Sequence, residues 1–190
     1  MKKFLLSLVA LFMGISLAGA QSITPRFGVV GGMTLTKFKA SSGEDYGSSK
    51  FNAGFNVGGK MEIGLPVVGL FADGSLLFSQ KAAANADLYY LDLPINIGYK
   101  FHVAPTVTLN LKTGPMLGFG LFGSESEIFD DSGFKRFNCS WGFGAGIEVL
   151  KHFQFGLSYN LGLSNIVGSD YSDVLTIKQN YFRFNVAYMF

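Results

Sequence analysis

The most constraining feature of this chain is a period-two pattern, repeated in short segments and never replaced by a long apolar run in its body. In the last ten residues, Phe182, Phe184, Val186, Tyr188 and Phe190 alternate with residues that include Arg183 and Asn185. Such alternation describes a β-strand with one apolar face and one polar face. The apolar face here is unusually aromatic. A soluble domain tolerates such a strand, but a barrel crossing an outer membrane requires it, because lipid meets one face and the lumen meets the other.

The same rule recurs upstream in residues 26–37, 50–63, 67–79, 88–101, 106–122, 135–149 and 153–163. It is sharpest in 88–101, where Tyr89, Leu91, Leu93, Ile95, Ile97, Tyr99 and Phe101 oppose Asp92, Asn96 and Lys100. Pro94 lies inside that segment and cannot donate to a ladder, so a bulge is expected there. Longer loops at 40–49, 80–87, 123–134 and 164–177 alternate with tight turns at 64–66, 102–105 and 150–152. This rhythm predicts an all-β fold: an eight-stranded antiparallel up-and-down transmembrane β-barrel, long loops outside and short turns in the periplasm.

Composition supports that reading over a soluble one. The 190 residues hold 20 Phe, 8 Tyr and 25 Gly, with only 15% charged. Aromatic residues gather near segment ends, with Phe51, Phe78, Tyr89, Phe119, Phe137 and Phe182 toward the external side. Phe27, Phe101, Phe153, Tyr188 and Phe190 gather toward the other. Two aromatic girdles at the lipid–water interfaces account for this placement. A soluble lipocalin-type barrel would invert the pattern, apolar inside and polar outside.

Residues 1–20 read differently from the rest. Lys2 and Lys3 precede an apolar stretch, and Ala18-Gly19-Ala20 offers the small residues of a cleavage site. A cleaved signal peptide (1–20) ahead of a barrel domain (21–190) is therefore expected. Gln21 stands where a lipoprotein would carry Cys. Without Lys2 and Lys3, the 15 basic residues fall to 13 and match the 13 acidic ones. That balance leaves no electrostatic footprint for nucleic acid. Cys139 is the single cysteine, so no internal disulfide forms, and its parity places it toward lipid.

The polar parity carries Lys60, Glu62, Asp73, Asp92, Lys100, Lys112, Arg136, Glu148 and Arg183. An eight-stranded lumen is only wide enough for side chains to fill, which favours a polar plug of paired charges over an open path. Inward glycines, among them Gly54, Gly58, Gly118, Gly142, Gly144, Gly146 and Gly156, leave room for voids and water. Neither His102 nor His152, both in turns, has a spaced Ser or Asp partner, so catalytic residues are not expected. No His/Cys cluster offers a zinc site, and no cofactor is expected. Glu125, Glu127, Asp130 and Asp131 match no complete calcium-loop spacing and read as a solvated loop.

Three stretches carry a family resemblance: Tyr90 to Phe101 (YLDLPINIGYKF), Leu76 to Lys81 (LLFSQK) and Gly114 to Gly118 (GPMLG). They resemble the PorT-like outer-membrane β-barrel family, close in architecture to the eight-stranded OmpX and OmpA-type barrels. Asp92 stands where that family usually has Glu. The resemblance implies a cell outer membrane location of Gram-negative type and, through the family's namesake, a connection with type IX protein secretion. The expected function is a non-enzymatic structural or interaction barrel acting through its external loops or periplasmic turns. A narrow transport barrel for ions or a small amphiphile is the alternative, with a lipid-modifying enzyme behind it. Expected partners are outer-membrane lipid, the barrel-assembly machinery and a secretion-system or other envelope protein, with the barrel itself a monomer. By analogy with such barrels, Phe182, Phe184, Val186, Tyr188 and Phe190 form the assembly signal.

Overall fold

In the computed structural model, residues 24–41, 52–83, 86–123, 137–164 and 176–190 are described. The expected signal peptide, Phe51, the acidic third loop and Arg136 lie outside them. The described elements are eight strands: β1 Pro25–Ser41, β2 Asn52–Gly64, β3 Leu70–Ala83, β4 Ala86–Ala104, β5 Val107–Gly123, β6 Phe137–Val149, β7 Phe153–Gly162 and β8 Thr176–Met189. Each pairs antiparallel with its neighbour in sequence, and β1 pairs with β8 to close the barrel. Closure removes every sheet edge, which a β-structure in lipid requires.

The register fixes the barrel's width. Pro25 pairs with Ile63, Ile63 with Ala72, Ala72 with Ile97 and Ile97 with Thr113. From Thr113 the path continues through Phe143, Tyr159 and Phe182, then returns to β1 at Leu35. One circuit thus shifts the register by ten residues, from Pro25 to Leu35. Such a shear on eight strands tilts them by roughly 35–45° and leaves a lumen that side chains fill.

Side chains divide as the period-two rule demands. On β8, Phe182, Phe184, Val186, Tyr188 and Phe190 face outward and are exposed, while Tyr181, Arg183, Ala187 and Met189 are buried inside. The outward rings meet one another across neighbouring strands. At the external end Phe78 stacks on Tyr89 at 5.6 Å and Tyr89 meets Phe122 at 4.8 Å. At the periplasmic end Phe153 meets Tyr188 at 5.3 Å, and Tyr188 meets Phe190 at 5.5 Å. On the lipid face Trp141 donates to the Thr113 hydroxyl (2.9 Å), which donates to the Gly142 carbonyl (2.8 Å).

Several sequence expectations need correction. Pro94 makes no bulge; it pairs in register with Met116 on β5, on a strand whose missing N–H the pairing accommodates. The register shifts lie elsewhere. One falls between Tyr89 and Tyr90, where Leu121 is the extra residue on β5, and one between His102 and Ala104, where Val103 is extra. His102 therefore lies within β4, two residues before its end, instead of sitting in a turn. β3 runs on to Ala83 and takes in the first residues of the expected 80–87 loop. The β2–β3 turn is longer than 64–66 and closes through Gly69, whose φ of 81° suits glycine. The inward glycines mark close approach, not voids, at several places: a Cβ on Gly54 or Gly58 would collide with the β3 backbone, and one on Gly118 with Asn138 and Asp92.

Candidate functional site

The lumen contains two charged layers. Asp73 and Lys81 lie eight residues apart on β3, as do Asp92 and Lys100 on β4. That separation is about 26 Å along a strand. Val30, Leu77, Ala187 and Met189 form a buried apolar cluster inside the barrel.

The periplasmic layer is a continuous network. Arg26 reaches both Glu62 and Glu148 at 3.1 Å, and Lys100 reaches the same two carboxylates at 2.5 and 2.8 Å. Gln154 donates to Glu62 (3.0 Å) and Glu148 (2.8 Å) and accepts from Lys60 (2.6 Å). Lys60 also meets Asp73 at 3.2 Å, which Lys112 meets at 2.8 Å and Asn96 at 2.6 Å. Every strand except β8 contributes a side chain to it.

The external layer is smaller and drier. Asp92 takes Lys81 on one oxygen at 3.0 Å and Arg183 on the other at 2.8 Å. Lys81 and Asp92 are fully buried, and the Arg183 side chain is 3% exposed. Two cations on one carboxylate leave an excess positive charge in a low-dielectric space. Aromatic faces offset part of that cost: the Lys81 ammonium lies 4.5 Å from the Tyr90 ring and 5.0 Å from that of Tyr181. Arg183 also donates to the Met116 sulfur at 3.3 Å, a weak acceptor.

The structure places Lys60, Glu62, Asp73, Asp92, Lys100, Lys112, Glu148 and Arg183 inside the barrel and gives each an ion-pair partner. Sequence reasoning missed Arg26 and Lys81. Both had the right parity, Arg26 opposite Phe27 and Lys81 in step with Asp73 and Ser79. Arg26 sat at a segment edge and Lys81 in an Ala-rich stretch read as loop. Tyr90, Met116 and Tyr181 were missed too, because apolar residues on the inner face carry no alternation signal.

At the periplasmic mouth a pocket of about 280 Å³ is lined by Arg26, Lys100, His102, Pro105, Thr106, Thr108, Glu148 and Lys151. The His102 side chain makes no hydrogen bond among the described residues. His152 uses its Nδ1 on the Met189 carbonyl at 2.8 Å and stacks on Tyr188. Among the described residues neither histidine side chain is hydrogen-bonded to a hydroxyl. Among the described residues no group of three or more His, Cys, Asp or Glu is placed to hold a metal ion.

A closed eight-stranded barrel, aromatic and apolar outside with paired charges inside, defines a transmembrane protein of the Gram-negative outer membrane. The chain belongs to the outer membrane protein beta-barrel domain family, whose sequence profile matches residues 6–190. No curated protein matches it in sequence. Among solved structures, Neisserial surface protein A (NspA) is similar at 17% identity and a TM-score of 0.51, covering 86% of this chain and 97% of that one. Ail, the attachment invasion locus protein of Yersinia pestis, in complex with the heparin analogue sucrose octasulfate, gives 19% and 0.46, covering 88% and 100%. The outer membrane protein OprG from Pseudomonas aeruginosa gives 11% and 0.43, covering 88% and 97%. At these identities the likeness concerns the fold alone.

Proposed function

We propose that the protein is a non-enzymatic interaction barrel that meets an envelope partner, of a secretion system or another envelope assembly, through its external loops or periplasmic turns. The observation that carries this reading is the lumen: two ion-paired layers fill it and leave the ends of the barrel as its working surfaces. Replacing a buried charge in either layer strands its partner, so the layers serve the barrel's rigidity better than passage. The resemblance to PorT-like proteins supports a partner in secretion. β8 supplies the assembly signal, and the finished barrel works as a monomer in outer-membrane lipid. Crosslinking in native outer membranes followed by pull-down tests this. A discrete crosslinked protein supports it, and a barrel recovered free of any partner across both ends overturns it.

Narrow transport is favoured by one observation. The buried Thr36 Oγ1, Asn56 Oδ1, Asn185 Oδ1 and Arg183 Nε have no partner among the described residues. Gly32 pairs with both Asn56 and Asn185, so the two amides flank one point of β1. Ordered water satisfies such groups. Planar-bilayer recording separates the two readings, since discrete openings belong only to transport.

A further inference from the structure

We propose that the pocket at the periplasmic mouth is a docking site for a carboxylate of an acidic peptide segment on a periplasmic protein. This rests on the interaction reading above and names the chemistry of the partner at that end. Three cations, Arg26, Lys100 and Lys151, line the pocket against one carboxylate, Glu148. Arg26 and Lys100 are held by Glu62 and Glu148. Lys151 is exposed and has no carboxylate partner among the described residues, and His102, Thr106 and Thr108 add polar groups beside it. The pocket thus presents a surplus of donors toward the periplasm.

The hairpin loop that carries Lys151 is held in place. Leu150 and Lys151 both hold left-handed backbone, at φ 55° and 64°, a conformation rarely adopted by such side chains. Two successive residues of this conformation are what a tight two-residue hairpin loop requires, and contacts to neighbouring segments hold the loop in place. The contacts here are visible. Arg26 donates to the Lys151 carbonyl, and the Leu150 N–H donates to the Thr106 carbonyl at 2.8 Å. The two turns that wall the pocket are therefore tied to each other and to the lumen network. Pinning them keeps the Lys151 ammonium at the mouth without a partner of its own.

The rim explains why a peptide suits the pocket better than a free anion. Val103 and Leu150, next in sequence to the lining residues His102 and Lys151, are 64% and 56% exposed. Among residues 64–69, 102–106 and 150–152 there is no acidic side chain. An apolar rim around a cationic pocket fits an anionic group carried next to apolar side chains. A free inorganic anion gains nothing from such a rim. Capture of a peptide carboxylate by backbone and basic groups is an established mode of recognition.

The test uses the refolded full-length barrel in nanodiscs and a fluorescein-labelled acidic hexapeptide with a free C-terminal carboxylate, read by anisotropy. Its amidated, Gln-substituted counterpart is the control. The expected result is saturable binding of the acidic peptide only, weakened by salt and roughly fivefold by Lys151→Ala. Lys151→Glu abolishes it. His102→Ala gives a second, independent loss, and gel mobility before and after heating verifies that each variant is folded. Equal binding of both peptides, or none, overturns the proposal. So does inorganic phosphate competing better than acetate, which makes the pocket a phosphate site. Lys151-dependent cosedimentation with peptidoglycan sacculi, without peptide binding, also overturns it. A failed membrane pull-down with intact peptide binding counts against the partner alone, and the reverse counts against this pocket alone.

Discussion

At the scale of single residues, Asp92 bears the greatest electrostatic demand. Among the described residues it is the only carboxylate facing both Lys81 and Arg183, and all three are nearly or wholly buried. Asp92→Asn strands two cations, so a loss of about 3–5 kcal/mol is expected by analogy with broken buried pairs. Lys81→Met leaves Asp92 paired with Arg183 and removes the excess charge, so its cost is smaller. Urea titration of the refolded barrel in lipid checks the order, and a Lys81→Met variant less stable than Asp92→Asn would refute it. Parity made the inward direction of Asp92 and Arg183 legible in the sequence. Their partnership was not legible, because it depends on the ten-residue shear and not on the period of two. For the same reason the sequence could not show that Lys60 and Lys112 share Asp73.

At the scale of elements, the β6–β7 hairpin and β8 each expose a distinct physical term. The left-handed backbone at Leu150 costs roughly 1–2 kcal/mol, and Asn tolerates it better. Leu150→Asn is therefore expected to raise stability by about 1 kcal/mol in the same titration. A loss instead would mean that the Leu150 side chain has a contact worth more than the strain. β8 closes the barrel, with the Phe190 N–H donating to the Phe27 carbonyl at 2.8 Å and its ring exposed. Deleting Phe190 removes one ladder bond of about 1 kcal/mol, too little to unfold the barrel. If its role is recognition by the assembly machinery, the deletion lowers membrane levels in cells while refolding in vitro stays near normal. Equal losses in both assays would reduce Phe190 to a structural residue. Strand identity was legible wherever large and polar side chains alternate. It failed at Gln80 to Ala83, where Ala gives no contrast between faces, and at Val103 and Leu121, where an extra residue breaks the period.

At the scale of the whole molecule, the two charged layers act in series, and that decides what the lumen can pass. Opening the external layer leaves the periplasmic one intact, with Lys100 and Arg26 still bridging Glu62 and Glu148. The unaltered barrel is expected to show no discrete openings in a planar bilayer. Replacing Lys81, Asp92 and Arg183 together by Ala is expected to remain silent for the same reason. Conductance appears only when Glu62, Lys100 and Glu148 are also replaced. Its selectivity is set by what remains: Arg26, Lys60 and Lys112 then face Asp73 alone, so the opened path prefers anions. The reversal potential in a salt gradient reads that preference directly. Cation preference would mean that residues outside the described strands govern the path, and openings in the unaltered barrel would return the protein to the transport reading.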